Sequence, residues 1–545
     1  MKLKRTILGP ILVALFAFVS GGWLLQRGVE AGREPDGRVL LEILERLSRD
    51  YVDAERTEDL YRMAVEGLLQ ELGDPHTSYM SAEDYARLRI QTTGEYGGLG
   101  IQIAERDGWI TILAPLPGTP AERAGLMAGD RIVQVEDQST EGWTDDDAVE
   151  VLRGRVGEPV NIKIGRPGVD EPIDFNLVRE EIHVRSIRTA YMIEPEIGYA
   201  RLDLFSETST EELRNAIATL RDQGMRSMIL DLRANPGGLL DQGVSVTDLF
   251  VDRGAPIVET RARNPRDNVV FRASRPEEFP GLPIVVLVDQ YSASAAEIVA
   301  GALQDHDRAL VVGVPTFGKG SVQTLFALSG GNYLKMTTGK WYTPSGRSIQ
   351  RDQQREGDPI ALLEEEPRAE DGQPVPEETA IDTTQLEEFR TDGGRIVYGG
   401  GGIVPDLLIR SDTLTDVERE FFDAASRAGN KYPDVIFRYA VDYVRTHPDL
   451  EPGFVVTPAM EQEMLQMLVA EGVEVTPEQL EGASRLVELQ LGGEIAQAKW
   501  GPEGRAQRAN RDDNVIRSAI GLLREAPSQQ ELFSMAQTRA QPIAQ

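Results

Sequence analysis

Residues 282–323 read LPIVVLVDQYSASAAEIVAGALQDHDRALVVGVPTFGKGSVQ, and the fold of the chain turns on how they are parsed. The apolar, β-branched run at 284–288 has the length and composition of a buried strand. A polar turn, Asp289-Gln290-Tyr291-Ser292, follows, with serines at 292 and 294. Residues 295–303 are strong helix formers with apolar Ile298, Val299 and Leu303, and a second apolar run at 309–314 predicts another strand. A glycine-rich loop then carries Lys319. Strand, turn with an exposed serine, helix, strand is the order of an open α/β sheet, whose chemistry lies in loops beyond the carboxyl ends of the strands. Ser294, at a helix start, is expected near backbone N–H groups and the positive end of the helix dipole.

Working outward, the segments SASAAEI (292–298), TFGKGSVQ (316–323), YTPSGRSIQ (342–350), DLRANPGG (231–238) and GGIVPD (401–406) stand in order over most of the chain. Together they resemble the C-terminal processing peptidases, serine proteases with a Ser–Lys dyad. The resemblance implies Ser294 as nucleophile, Lys319 as base and Gln323 completing the site. It also implies an oxyanion hole made of Gly237 or Gly238 and the N–H of Ala295, without selecting between the glycines. Ala296 stands where many members have serine, with no expected effect on the chemistry.

The residues agree with this on chemical grounds. A serine hydroxyl is a weak nucleophile until a base takes its proton. The four histidines, His76, His183, His306 and His447, occupy no motif that pairs them with Ser294. A lysine serves if burial or cationic neighbours lower its pKa enough to leave a neutral amine near pH 7. If the loop after Lys319 is extended, positions 319 and 323 share a face, which lets Gln323 orient the amine. The competing reading is a solvated loop lysine and a helix-capping serine. For 227–238 it is an ordinary strand-to-helix turn.

Composition narrows the classes. The net charge of −32, from 57 basic and 89 acidic residues, argues against nucleic acid or an anionic membrane surface as partner. With no cysteine, the chain has no disulfide, thiolate nucleophile or cysteine zinc site. No metal or organic cofactor is implied.

Five regions are expected. Residues 1–28 hold Lys2, Lys4 and Arg5 ahead of an apolar run at 7–25. This reads as an uncleaved signal-anchor in preference to a cleaved signal peptide. It predicts a single-pass protein of the bacterial inner membrane with its catalytic part in the periplasm or otherwise outside the cytoplasm. Residues 35–92 read as short amphipathic helices, with His76 in a structural turn. Residues 93–180 carry the loop Gly97-Gly98-Leu99-Gly100-Ile101, which resembles the carboxylate-binding loop of PDZ domains. There, successive N–H groups of Gly98, Leu99, Gly100 and Ile101 would hold a peptide's terminal carboxylate. A helix at 145–152 would flank the peptide, which would add as a strand beside 101–104.

Residues 185–410 alternate strand and helix, which means a mostly parallel sheet. The resemblance makes this peptidase core crotonase-like. An acidic insertion at about 351–394 reads as a surface excursion. Residues 411–545 form a C-terminal α-helical extension, with capping boxes at Thr415 and Thr476 and Pro458 and Pro477 at first helical positions. Packing on the protease, homo-oligomer formation and docking of an adaptor lipoprotein all fit this extension.

The reading is an α/β multidomain, exported serine endopeptidase acting on polypeptides with accessible C-terminal tails. Its rivals are a non-catalytic PDZ scaffold that binds such tails, and a crotonase-like enzyme acting on acyl thioesters.

Overall fold

The computed structural model describes residues 37–53, 56–351 and 386–539. The apolar run at 7–25 and most of the acidic insertion lie outside the described residues. The chain divides into two units, one of residues 1–82 with 324–337, the other of 83–323 with 338–545.

In the first unit, helices α1 (Gly37–Asp50) and α2 (Thr57–Leu72) precede strand β1 (Ser78–Met80). Strand β1 runs antiparallel to residues 333–335. Of α1 only Leu44 is buried, while Val39, Leu40, Leu41 and Ile43 are exposed.

The second unit holds a six-stranded antiparallel sheet in which β2 (Ile101–Arg106), β3 (Trp109–Pro115), β4 (Arg131–Val135), β5 (Pro159–Gly165) and β6 (Ile173–Val178) pair in that order, and the short strand Gln138–Ser139 pairs with β4. Helix α3 (Asp145–Leu152) begins at a Thr144–Asp147 capping box and buries Ala148 and Leu152. In β5 the burial alternates strictly, Val160, Ile162 and Ile164 facing inward, as a half-buried strand requires. The glycine-rich loop enters β2. Gly100 has φ +74°, and a Cβ there would meet Thr119 at 2.3 Å, so only glycine fits.

The core sheet follows: β7 (Ile187–Glu194), β8 (Ile197–Leu202), β9 (Ser227–Asp231), β11 (Ile284–Val288), β12 (Leu310–Gly313) and β15 (Leu407–Leu408). All neighbours are parallel except β7 with β8. Every residue of β9, β11 and β12 is buried, because helices cover both faces. Alternation assigns the sides. Met228, Leu230, Ile284, Val286 and Val311 pack with α4 (Ser209–Asp222), α5 (Leu240–Asp248) and α6 (Ala295–Asp305). β10 (Pro256–Ala262), β13 (Ser321–Ala327) and β14 (Tyr333–Tyr342) lie outside this sheet, and β10 pairs with 339–342 of β14.

The C-terminal region contains α7 (Asp416–Ser426), α8 (Lys431–Thr446), α9 (Pro458–Ala470), α10 (Pro477–Gly482), α11 (Ser484–Asp512), α12 (Asn514–Glu525) and α13 (Gln529–Arg539). Capping boxes start α7 and α10, and Pro458 and Pro477 sit in the first turns of α9 and α10. The region is not one appendage. Helices α7 to α11 share a core of their own, whereas Val515, Ile516, Ala519 and Leu522 of α12 and Leu532 of α13 pack with Tyr199, Ile229, Val285 and Leu287 of the sheet. Those two helices are the second cover of the core sheet. Helix α8 reaches the antiparallel domain, where Asp434 accepts from Arg106 at 2.7 Å.

The single-pass inner-membrane placement is corrected. Among the described residues no helix is long and apolar enough to cross a membrane. The one with the length, α11, carries charges such as Glu488, Glu494 and Arg505.

Candidate active site

The turn after β11 delivers Ser294. Its backbone is held at φ 55° and ψ −112°, which a residue bearing a Cβ adopts only at a cost that surrounding contacts must offset. Those contacts are visible. Ser292 Oγ donates to Leu232 O at 2.8 Å, the Ala293 N–H to Asn235 O at 2.9 Å, and the Ser294 N–H to Glu297 Oε2 at 2.7 Å. Ser294 is half-buried and stands immediately before α6.

Glu297, in the first turn of α6, is fully buried and joins the two candidate catalytic segments. Its Oε1 accepts from Thr316 Oγ1 at 2.6 Å and the Gly318 N–H at 2.7 Å. Its Oε2 accepts from the N–H groups of Ser294 at 2.7 Å and Lys319 at 3.0 Å. The backbones of Ser294 and Lys319 therefore meet at one oxygen atom. Burial raises the Glu297 pKa to about 7, against the four hydrogen bonds that favour its charge. The spacing Ser-Ala-Ala-Glu, a capping-box pattern, was the sequence signal for this residue, though it points only to a helix start.

Lys319 is half-buried, and its carbonyl accepts from Trp341 Nε1 at 3.1 Å. The extended run expected after it begins at Ser321, and Gln323 Nε2 donates to Ser321 Oγ at 2.9 Å. His306 ends α6 bonded to Asp392 and to the Pro256 carbonyl, both at 2.7 Å.

The loop after β9 reaches the same turn. A Cβ on Gly237 would lie 2.7 Å from Ala293 O, 2.8 Å from Ser294 Cβ and 3.0 Å from Ala295 N. A Cβ on Gly238 would instead strike Phe205 O at 2.2 Å. Gly237 is thus the glycine against the serine. Its N–H donates to Asn235 Oδ1 at 2.8 Å. Because Gly237 has φ +92°, Gly237→Ala combines backbone strain with a collision at Ser294. A fall of about 100-fold in kcat is expected, the scale of losing one oxyanion donor. Steady-state turnover of the purified variant checks it, and unchanged kcat would remove Gly237 from the site.

At the antiparallel domain, Leu99 is buried and the Gly100 carbonyl accepts from Thr119 Oγ1 at 3.1 Å, which holds the shape of the loop. Among the described residues no group of acidic or histidine side chains is arranged to hold a metal ion.

Ser294 on a strained turn, Lys319 on the loop that meets it at Glu297, and Gly237 against the serine form the candidate site. Residues 196–356 match the description Peptidase family S41, and residues 111–166 match that of a PDZ domain. A carboxy-terminal-processing protease of Bartonella bacilliformis is 44% identical over 57% of this chain and 71% of its own length. The carboxy-terminal processing protease CtpA of Bacillus subtilis is 34% identical over 63% of this chain and 73% of its own. The photosystem II D1 C-terminal processing protease is 30% identical over 58% of this chain and 91% of its own, with a TM-score of 0.34. The chain belongs to peptidase family S41, as a serine peptidase with a PDZ domain.

Proposed function

We propose that the enzyme cleaves polypeptides near or from their C-termini through a Ser294–Lys319 dyad. The single observation that carries this is the shared Glu297 oxygen, which brings the Ser294 and Lys319 backbones together. Lys319 Nζ takes the proton as Ser294 Oγ bonds to the scissile carbonyl carbon. The Gly237 and Ala295 N–H groups receive the resulting oxyanion. On collapse the C–N bond breaks and Lys319 returns its proton to the leaving amine. Lys319 then takes a proton from a water that attacks the acyl carbon and returns it to Ser294 Oγ as the ester C–O bond breaks. Gln323 sits on the strand beyond Lys319, where it would orient the lysine. The core is assigned to the crotonase-like type, a reading supported by its parallel strands with helices on both faces.

Recognition belongs to the PDZ loop. Gly98, Leu99, Gly100 and Ile101 would take the substrate's terminal carboxylate while the chain adds beside β2. An unstructured reporter with an apolar tail is therefore expected to lose about tenfold or more in kcat/KM when its C-terminus is amidated, mostly through KM, since charge-assisted hydrogen bonds are lost. Steady-state kinetics on the matched pair is the measurement. Equal constants would sink carboxylate recognition.

A further inference from the structure

Arg233 opens the loop that carries Gly237, and its guanidinium is gripped from two sides. At the end of β9, the fully buried Asp231 accepts from Arg233 Nη2 at 2.7 Å and Nε at 3.0 Å, and from the Arg233 N–H at 3.0 Å. Tyr199 donates its hydroxyl to the same carboxylate at 2.8 Å. On the other side Arg233 Nη1 donates to Asp513 Oδ2 at 2.8 Å, across a sequence separation of 280 residues. Burial works against the Arg233 charge, but Asp231 and Asp513 outweigh it and hold the guanidinium well above its ordinary range.

Asp513 divides its two oxygens between two tasks. Oδ1 accepts from the Val515 and Ile516 N–H groups at 2.9 and 3.0 Å and caps α12. Oδ2 holds Arg233. From Arg233 the path to the serine is short and fixed. Ala234 is held at φ 55° with its N–H on Asp289 Oδ1 at 2.9 Å. Asn235 donates to Leu202 O at 2.7 Å and accepts the Gly237 N–H at 2.8 Å.

We propose that Asp513 is a positioning residue of the catalytic centre, setting the Gly237 loop against Ser294 through Arg233. This rests on the reading of Ser294 as nucleophile and Gly237 as oxyanion donor. The consequence is that the site is complete only once α12 has docked on the sheet, so chemistry waits for the last helices of the chain.

The test uses the full chain with Asp513→Ser. A serine keeps an acceptor for the helix cap but is too short to reach Arg233. Expected is a fall in kcat of about tenfold with KM within about twofold, the signature of misplaced catalytic groups. Asp513→Asn, which also preserves the cap, should do the same. In a double-mutant cycle, adding Asp513→Ser to Arg233→Gln should cost little more than Arg233→Gln alone. Unchanged kcat, a loss confined to KM, or independent multiplication of the two effects would overturn the proposal. Ser294→Ala run alongside separates the two failures. If that variant still cuts, the nucleophile assignment is wrong. If it is inactive while Asp513→Ser and Asp513→Asn run at full rate, the positioning role is wrong.

Discussion

Ser294→Ala and Lys319→Ala are each expected to lower kcat by about 10⁴- to 10⁶-fold, and the double variant should be no slower than the worse single one. The reason for non-additivity is mechanistic. A nucleophile without its base, or a base without its nucleophile, forms no acyl-enzyme, so removing the second group takes nothing further away. Folding should survive both changes. Ser294 and Lys319 are half-buried, and their contacts with Glu297 run through backbone N–H groups that the substitutions leave in place. Cleavage of an unstructured reporter with an apolar tail, with thermal unfolding as control, measures this. Turnover by Ser294→Ala at the wild-type rate would end the dyad assignment.

The second large effect is expected at Glu297. Each of its oxygens accepts two hydrogen bonds, one pair from Thr316 and Gly318, the other from Ser294 and Lys319. Glu297→Gln must turn an NH₂ toward one of those pairs, facing donors with a donor, and should lower kcat by about 10³-fold. The pH profile carries the sharper signature. With its pKa raised to about 7, chiefly by burial, the carboxylate is ionised above that pH and protonates as the pH falls through it. A protonated oxygen no longer accepts both N–H groups, and Lys319 must also be neutral to act. Below both values log kcat should therefore fall with a slope approaching two in the wild type and one in Glu297→Gln. A wild-type slope of one, or a Glu297→Gln enzyme within threefold of wild type, would contradict this.

The sign for stability runs the other way. A glutamate ordinarily at 4.5 and raised to about 7 in the fold keeps a proton that the unfolded chain gives up. Its contribution to the unfolding free energy thus declines as pH rises from 4.5 to about 7, by about 3 kcal/mol. Above pH 7 the enzyme carries that cost for an ionised, hydrogen-bonded carboxylate between the Ser294 and Lys319 segments.

Much of the site was legible because its signals are local. The β-branched run at 284–288, the polar turn and the helix formers after it specify strand, turn and helix through side chains within a few positions of one another. The same holds for the helix at Asp145–Leu152 and for the capping boxes at Thr415 and Thr476. The choice between Gly237 and Gly238 was not legible. Both follow one strand, and only the approach of Ala293 to one and Phe205 to the other separates them.

The sequence by itself determined the order of strands and helices, the serine and lysine in their loops, and the glycine-rich loop at 97–101. These depend on dihedral preferences and on periodicities of two and 3.6 residues, which are written along the chain. Tertiary structure alone decided that Glu297 lies between Ser294 and Lys319, that α12 and α13 cover the second face of the peptidase sheet, and that Asp513 grips Arg233. The α12 stripe of Val515, Ile516, Ala519 and Leu522 states that a face will be buried but not against what. Its partner is chosen by which apolar surface of the sheet remains uncovered, and no spacing along the sequence encodes that.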